Sequence, residues 1–220
     1  MIKVLAALLM LIDHIGMILF PQAYILRIIG RLSMPLFAYC IARGFYFSEQ
    51  KGTTMKYARN IFLFAAVSQI PFTVLSIWIE GAFSLNIGFV WLLSICLMKA
   101  FVTEKRPLYL GVTCGLIFLI ALAVPMNYGL YAVLYPSVFF LYMFRANKPQ
   151  YAFLGMAILY AFNVFMSGGE IQVFTLVAFP VLLIAKKCDD VIKPSRRFFY
   201  WFYPIHIAVL LIIKWTLTIF

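Results

Sequence analysis

Residues 107–124 read PLYLGVTCGLIFLIALAV, eighteen consecutive positions without a charged side chain. As a helix rising about 1.5 Å per residue, such a run nearly crosses the roughly 30 Å hydrocarbon layer of a bilayer. Working outward from it, similar apolar runs fall at 4–20, 30–47, 58–79, 86–102, 127–144, 150–166, 171–185 and 198–219. The composition has the same character: 65% hydrophobic residues, 11% charged residues and a mean hydropathy of +1.02. A soluble domain carries about 25% charged residues, and this chain could not hide so much apolar surface from water. In lipid only helices or closed barrels satisfy the backbone. Barrel strands would alternate apolar and polar residues, whereas these runs are unbroken. The expected fold is therefore all-α, a single-domain (residues 1–220) polytopic transmembrane bundle of about nine spans. The eighth run is short and reads as tilted or partly re-entrant.

The charges orient the bundle. Net charge is +11, which in a soluble chain could suggest nucleic acid, but its placement follows the spans and no nucleic-acid partner is expected. Of the 18 Lys and Arg residues, all but Arg27, Arg31 and Lys214 sit before the first run or around the second, fourth, sixth and eighth connections. The third and seventh connections instead hold Glu80 and Glu170. The positive-inside rule then places the N-terminus and the even-numbered connections in the cytoplasm. Basic loops of this kind can also meet anionic lipid or a phosphate-bearing ligand. Asp13 and His14 interrupt the first run and no clear small-x-small site follows, so it reads as a retained helix rather than a signal peptide. Cys40, Cys96, Cys114 and Cys188 are dispersed without a CxxC pair, which fits small buried hydrophobes better than a disulfide framework or zinc site. No metal is expected.

Ionisable groups are costly in mid-bilayer and each needs a reason. Both histidines of the chain lie in apolar runs. His14 stands about 16 Å along the helix from Lys3, and His206 about 13 Å from Arg197. Both therefore fall near the bilayer midplane, from opposite ends of the chain. Asp13 adjoins His14, but adjacent helical residues point about 100° apart, so each should find its partner on another helix. Arg27 and Arg31 are cations on the outward side, four residues apart and on one face if helical. Gln69, followed by Pro71, and Asn86 complete a polar set at similar depth, and Tyr203 is one turn before His206. The run Phe198-Phe199-Tyr200-Trp201-Phe202-Tyr203 reads as an interfacial aromatic belt.

A neutral histidine near pH 7 can act as general base or proton relay. An arginine can hold a carboxylate or phosphate, or stabilise an oxyanion. Interhelical hydrogen bonding is the inert alternative for such residues. A proton-coupled transporter uses the same residue types, but the chain lacks the two similar halves common in transporters.

Several stretches resemble the TraX family in order along the chain. They are Ile12-Asp13-His14-Ile15-Gly16 with Phe20-Pro21, then Arg27-Ile28-Ile29-Gly30-Arg31-Leu32 with Pro35-Leu36-Phe37-Ala38 and Gly44. Tyr57 with Arg59, Ser68-Gln69-Ile70-Pro71-Phe72, Leu85-Asn86-Ile87 and Tyr203-Pro204-Ile205-His206 follow. Gly88-Phe89-Val90-Trp91 stands where a Thr-Leu-Gly-like continuation is expected.

The resemblance implies membrane-bound acyl transfer from cytosolic acetyl-CoA in a bacterial inner membrane. The acceptor would be the N-terminus of pilin, a surface glycan or a lipid head group. His14 would be the general base and Asp13 its orienting or charge-balancing neighbour. Arg31, with Arg27, would hold an acceptor carboxylate or stabilise the oxyanion. His206 would be a second acid/base or a transient acyl carrier. Gln69, Asn86 and Tyr203 would contact the acceptor, and Arg196, Arg197 and Lys56 would meet the CoA phosphates. Two other functions use the same residues: a proton-coupled transporter, and a non-catalytic assembly factor for a pilus or surface polymer.

Overall fold

A computed structural model describes residues 1–167, 170–187 and 196–219. The described residues are overwhelmingly helical. The helices are α1 (Ile2–Ile18), α2 (Tyr24–Gly30), α3 (Ser33–Gln50), α4 (Thr54–Ile79), α5 (Ile87–Thr103), α6 (Pro107–Ala123), α7 (Gly129–Phe139), α8 (Pro149–Ser167), α9 (Ala178–Lys187) and α10 (Arg196–Ile219). Each of the nine apolar runs contains helix. The second run begins earlier than expected, because α2 leads almost directly into α3 and the two form one apolar helical stretch, Tyr24–Gln50. The eighth run divides into a 3-10 segment, Glu170–Val177, and the short α9. After Pro136, α7 widens into a π-helical turn, Phe140–Arg145.

Among the described residues, three helical stretches are long and apolar enough to cross a membrane: Tyr24–Gln50, Thr54–Ile79 and Phe198–Ile219. Four shorter apolar helices accompany them. Their outer faces are greasy. Leu108, Leu116, Leu119 and Leu122 on α6, Ile158 on α8, and Ile212 and Leu217 on α10 are all exposed. A soluble monomer seldom exposes apolar patches beyond a few hundred Å². The protein is a membrane protein.

The centre of the bundle is α7, which packs against α3, α5 and α8, while α1 packs on α2, α3 and α10. Two glycines let α1 and α2 approach closely. A Cβ on Gly16 would come within 2.7 Å of Leu26 Cβ, and one on Gly30 would land on Asp13 itself. Each end of the bundle is tied by its own contacts. At one end Glu49 pairs with Lys99 at 2.6 Å and accepts from Thr54 Oγ1 at 2.6 Å, joining α3, α4 and α5. At the other end the connection before α5 runs beside the connection before α7. Leu85 N–H donates to Pro125 O at 2.8 Å, and Asn127 N–H donates to Leu85 O at 2.9 Å.

Candidate functional site

His14 and His206 meet. His14 Nδ1 lies 2.7 Å from His206 Nε2, and both side chains are buried. His206 Nδ1 lies 2.7 Å from the carbonyl oxygen of Phe202, one turn earlier on α10. A carbonyl only accepts, so His206 must carry its proton on Nδ1. With both rings neutral, His206 Nε2 is then bare and accepts from His14 Nδ1–H. His14 is left with a bare Nε2, a basic lone pair held in place by two consecutive hydrogen bonds. Phe202 stacks on His206 with centroids 4.9 Å apart, and Tyr203 lies edge-on to the same ring at 5.7 Å.

Asp13 turns away from its sequence neighbour to a different helix. Its Oδ2 accepts from Arg27 Nη1 at 3.0 Å, and the same nitrogen reaches the Asp13 carbonyl at 3.2 Å. The close helix approach at Gly30 makes this contact possible. Arg31, buried at the end of α2, donates from Nη1 to the Tyr128 hydroxyl at 2.8 Å and lies 5.5 Å from that ring's centroid. Tyr128 opens α7 with a left-handed backbone, φ 62°. That is an uncommon conformation for a bulky residue, and such strain collects at functional sites.

Two cavities lie back to back in the bundle. The first, about 620 Å³, is the more polar of the two and is lined by Asp13, His14, Arg27, Arg31, Glu80 and Tyr128 among others. Of the seven buried side-chain polar atoms without a partner among the described residues, five belong to residues of this cavity: Asp13 Oδ1, Arg31 Nε, Ser84 Oγ, Trp91 Nε1 and Gln172 Oε1. Buried polar atoms are normally satisfied, so this clustering marks the cavity as a place for polar contents. Glu80, partly on the surface at its rim, has its carboxyl raised from the ordinary range, because partial burial outweighs the opposite pull of Arg27 and Arg31. The second cavity, about 550 Å³, has Lys3, Lys51 and Lys56 exposed at its rim and aromatic walls that include Phe64, Phe199 and Tyr200; none of its described lining residues is acidic. Met10, Trp91 and Tyr203 line both cavities.

A family model described as TraX protein matches residues 1–214. The chain belongs to the TraX family. It is also similar to a probable fimbrial assembly protein, FimC of serogroup H1, from Dichelobacter nodosus. The two are 24% identical over 95% of this chain and 92% of that protein. An uncharacterized protein of Rickettsia prowazekii (strain Madrid E) is 39% identical over 34% of this chain, a match that spans 27% of the relative. No solved structure matches.

Against the sequence reading, this TraX-family bundle brings Asp13, His14, Arg27, Arg31 and Tyr203 to the polar cavity, with His206 directly behind His14. Lys56 lines the lysine-rimmed cavity. The side chains of Arg196 and Arg197 lie outside the described residues. Gln69 and Asn86 line neither cavity and meet each other instead. Gln69 Oε1 accepts from the Asn86 backbone N–H at 2.9 Å and from its Nδ2 at 3.0 Å. Asn86 Nδ2 also reaches Ala65 O at 2.8 Å, and its Oδ1 caps α5 through Gly88 N–H at 2.8 Å. These amides brace α4 against α5 and have little hydrogen-bonding capacity left for a ligand. The sequence reading missed Tyr128, Trp91 and Gln172, and took Glu80, Lys3 and Lys51 only as orienting charges.

Proposed function

We propose that this TraX-family protein is a membrane acyltransferase that takes an acetyl group from acetyl-CoA in the lysine-rimmed cavity and delivers it to an acceptor in the polar cavity. The observation that carries this reading is the junction of two chemically different cavities beside the paired histidines. The lysine-rimmed cavity suits a phosphorylated thioester: three cations meet no acid among its described lining residues, and its depth is apolar and aromatic. The polar cavity suits an acceptor that both donates and accepts hydrogen bonds, because its unpartnered atoms include donors on Arg31 and Trp91 and acceptors on Asp13 and Gln172.

The chemistry follows from the histidine chain. An acceptor amine or hydroxyl attacks the thioester carbonyl carbon, forming a new N–C or O–C bond, while His14 Nε2 takes the departing proton. The C–S bond breaks, and the thiolate receives that proton from His14 and leaves as free CoA thiol. His206 acts through His14 as a positioning residue, fixing its tautomer. Its Nε2 faces His14 and it lines neither cavity, which favours direct transfer over an acyl-histidine intermediate. Arg31 holds an oxygen of the acceptor, and the Asp13–Arg27 pair fixes α2 against α1.

The residues around each cavity agree with the charge pattern. Lys3 and the α3–α4 connection border one, while the α4–α5 and α6–α7 connections border the other. In this reading the bundle crosses a bacterial inner membrane about nine times, with the N-terminus and the lysine rim in the cytoplasm and the polar cavity facing outward. Acetyl groups then leave cytosolic acetyl-CoA and reach a surface component. The fimbrial assembly relative makes the N-terminus of a pilin the first acceptor to test, ahead of a glycan or lipid head group.

The test is full-length protein in nanodiscs with labelled acetyl-CoA and candidate acceptors. Label should move to the acceptor, and His14→Ala should stop it while the protein still purifies normally. Absence of acetyl-CoA binding, hydrolysis and transfer would reject the reading. Two cavities divided by a thin wall also suit a proton-coupled transporter. Uptake into proteoliposomes driven by a pH gradient, without thioester chemistry, would select that function instead.

A further inference from the structure

Three residues wall the lysine-rimmed cavity off from the polar one: Met10 of α1, Trp91 of α5 and Tyr203 of α10. All three are buried and each lines both cavities. Met10 stands one helical turn before His14, and Tyr203 nearly one turn before His206. The wall therefore runs beside the histidine pair, with Tyr203 in contact with both rings. Trp91 is held between two rings, Phe37 at 5.6 Å and Phe64 at 6.4 Å, the latter nearly parallel at 12°. Tyr203 packs on Phe64 at 5.5 Å and on His14 at 6.1 Å. Interlocked aromatic rings of this kind yield little, whereas an unbranched methionine adapts its shape.

Resting on the acyl-transfer reading, we propose that Met10, Trp91 and Tyr203 set the length of the acyl group the protein transfers. His14 lines only the polar cavity, while the lysine rim belongs to the other. A thioester held at the lysines must therefore project its acyl carbonyl past this wall before the acceptor, deprotonated by His14, can reach it. The reaction is unchanged: the acceptor N–C or O–C bond forms, the C–S bond breaks, and the acceptor proton passes through His14 to the CoA thiolate. The acyl tail, however, must fit among a thioether, an indole and a phenol that are already packed. An acetyl methyl is the smallest tail, and each added methylene displaces one of those side chains. A single methylene in an apolar site typically changes selectivity about 10- to 200-fold.

The experiment compares acetyl-, propionyl- and butyryl-CoA in transfer assays with full-length protein in nanodiscs. Binding of nonreactive analogues, with a methylene in place of the thioester sulfur, supplies a readout independent of turnover. Wild-type protein should prefer acetyl over propionyl by about 10-fold and over butyryl by about 100-fold, in kcat/KM and in analogue affinity. Met10→Ala and the milder Trp91→Phe should each narrow the butyryl gap by about 10-fold or more. Where Met10→Ala fails to fold, Met10→Val tests the same wall with a smaller change. Wild-type protein that takes butyryl as readily as acetyl, or folded variants with an unaltered length profile, would overturn the proposal and leave acyl transfer standing. Failure of wild-type protein to bind or transfer any acyl-CoA would remove the acyl-transfer reading and this proposal with it.

Discussion

His14 and His206, 192 residues apart in the chain, face each other ring nitrogen to ring nitrogen at 2.7 Å. The Phe202 carbonyl behind His206 gives this contact a direction, because it requires a proton on His206 Nδ1. The two rings therefore have unequal roles. If the protein transfers acetyl groups as proposed, His14→Ala removes the proposed base and should lower transfer by about 10²–10⁴-fold, the usual range for a general base. His206→Gln retains an oxygen that can accept from His14 Nδ1–H, and should cost only about 10-fold, with His206→Ala falling between. Steady-state kcat for the three variants checks the order; equal loss in His206→Gln and His14→Ala would contradict a positioning role.

Under the proposed acyl transfer, Tyr128 should influence the acceptor and leave the thioester alone. Its hydroxyl accepts from Arg31 Nη1 at 2.8 Å, in the polar cavity. Tyr128→Phe leaves a buried guanidinium nitrogen without that partner and lets the fork swing. A lost hydrogen bond to a charged group is worth about 1.5–3 kcal/mol, so KM for the acceptor should rise about 10-fold or more while KM for acetyl-CoA stays constant. A rise in the acetyl-CoA KM alone would place the thioester on the wrong side of the wall.

The glycines provide a matched stability test. Gly30→Ala puts a methyl onto Asp13 at the α1–α2 contact, whereas a Cβ on Gly115 of α6 meets nothing within 4 Å. Overpacking typically costs about 1–3 kcal/mol, and replacing an open helical glycine by alanine gains up to about 1 kcal/mol of helix propensity. In detergent melts Gly30→Ala should lower Tm by several degrees, and Gly115→Ala should leave it unchanged or slightly raised. Equal behaviour of the two would mean that α1 and α2 do not meet closely at Gly30.

Much of this was legible in the sequence, because lipid makes each rule strict. Long apolar runs must be helices, so all nine carry helix, and a polar residue inside one must find a partner. The depths of His14 and His206 were calculable from a 1.5 Å rise, and the 100° turn between Asp13 and His14 foretold different partners: Arg27 on α2 and His206 on α10. Gln69 and Asn86 had suitable depth too, but depth leaves rotation about the helix axis undefined. Their faces turned toward each other instead of a cavity. Trp91 looked like one apolar residue among many, since a shared wall exists only where three helices intersect. Tyr128 depends on a left-handed backbone that its own residue type disfavours, and Glu80 became a site residue only when the α4–α5 connection folded back toward α2.

The orientation of the whole bundle can be decided without any enzymology. Thr53 lies in the α3–α4 connection and Ala82 in the α4–α5 connection, and both are exposed. Thr53 lines the lysine-rimmed cavity, while the neighbours of Ala82, Glu80 and Ser84, line the polar one. The 26-residue α4 between them is about 39 Å long at 1.5 Å per residue, enough to separate the two sides of a bilayer. In a background lacking the four native cysteines, Ala82→Cys should react with an impermeant maleimide added to whole spheroplasts, and Thr53→Cys only after the membrane is opened. The reverse pattern would place the lysine rim outside, away from cytosolic acetyl-CoA, and the donor would then have to enter the polar cavity. Labelling of both positions in intact spheroplasts would mean that α4 does not cross at all, and the two cavities could no longer be assigned to opposite compartments.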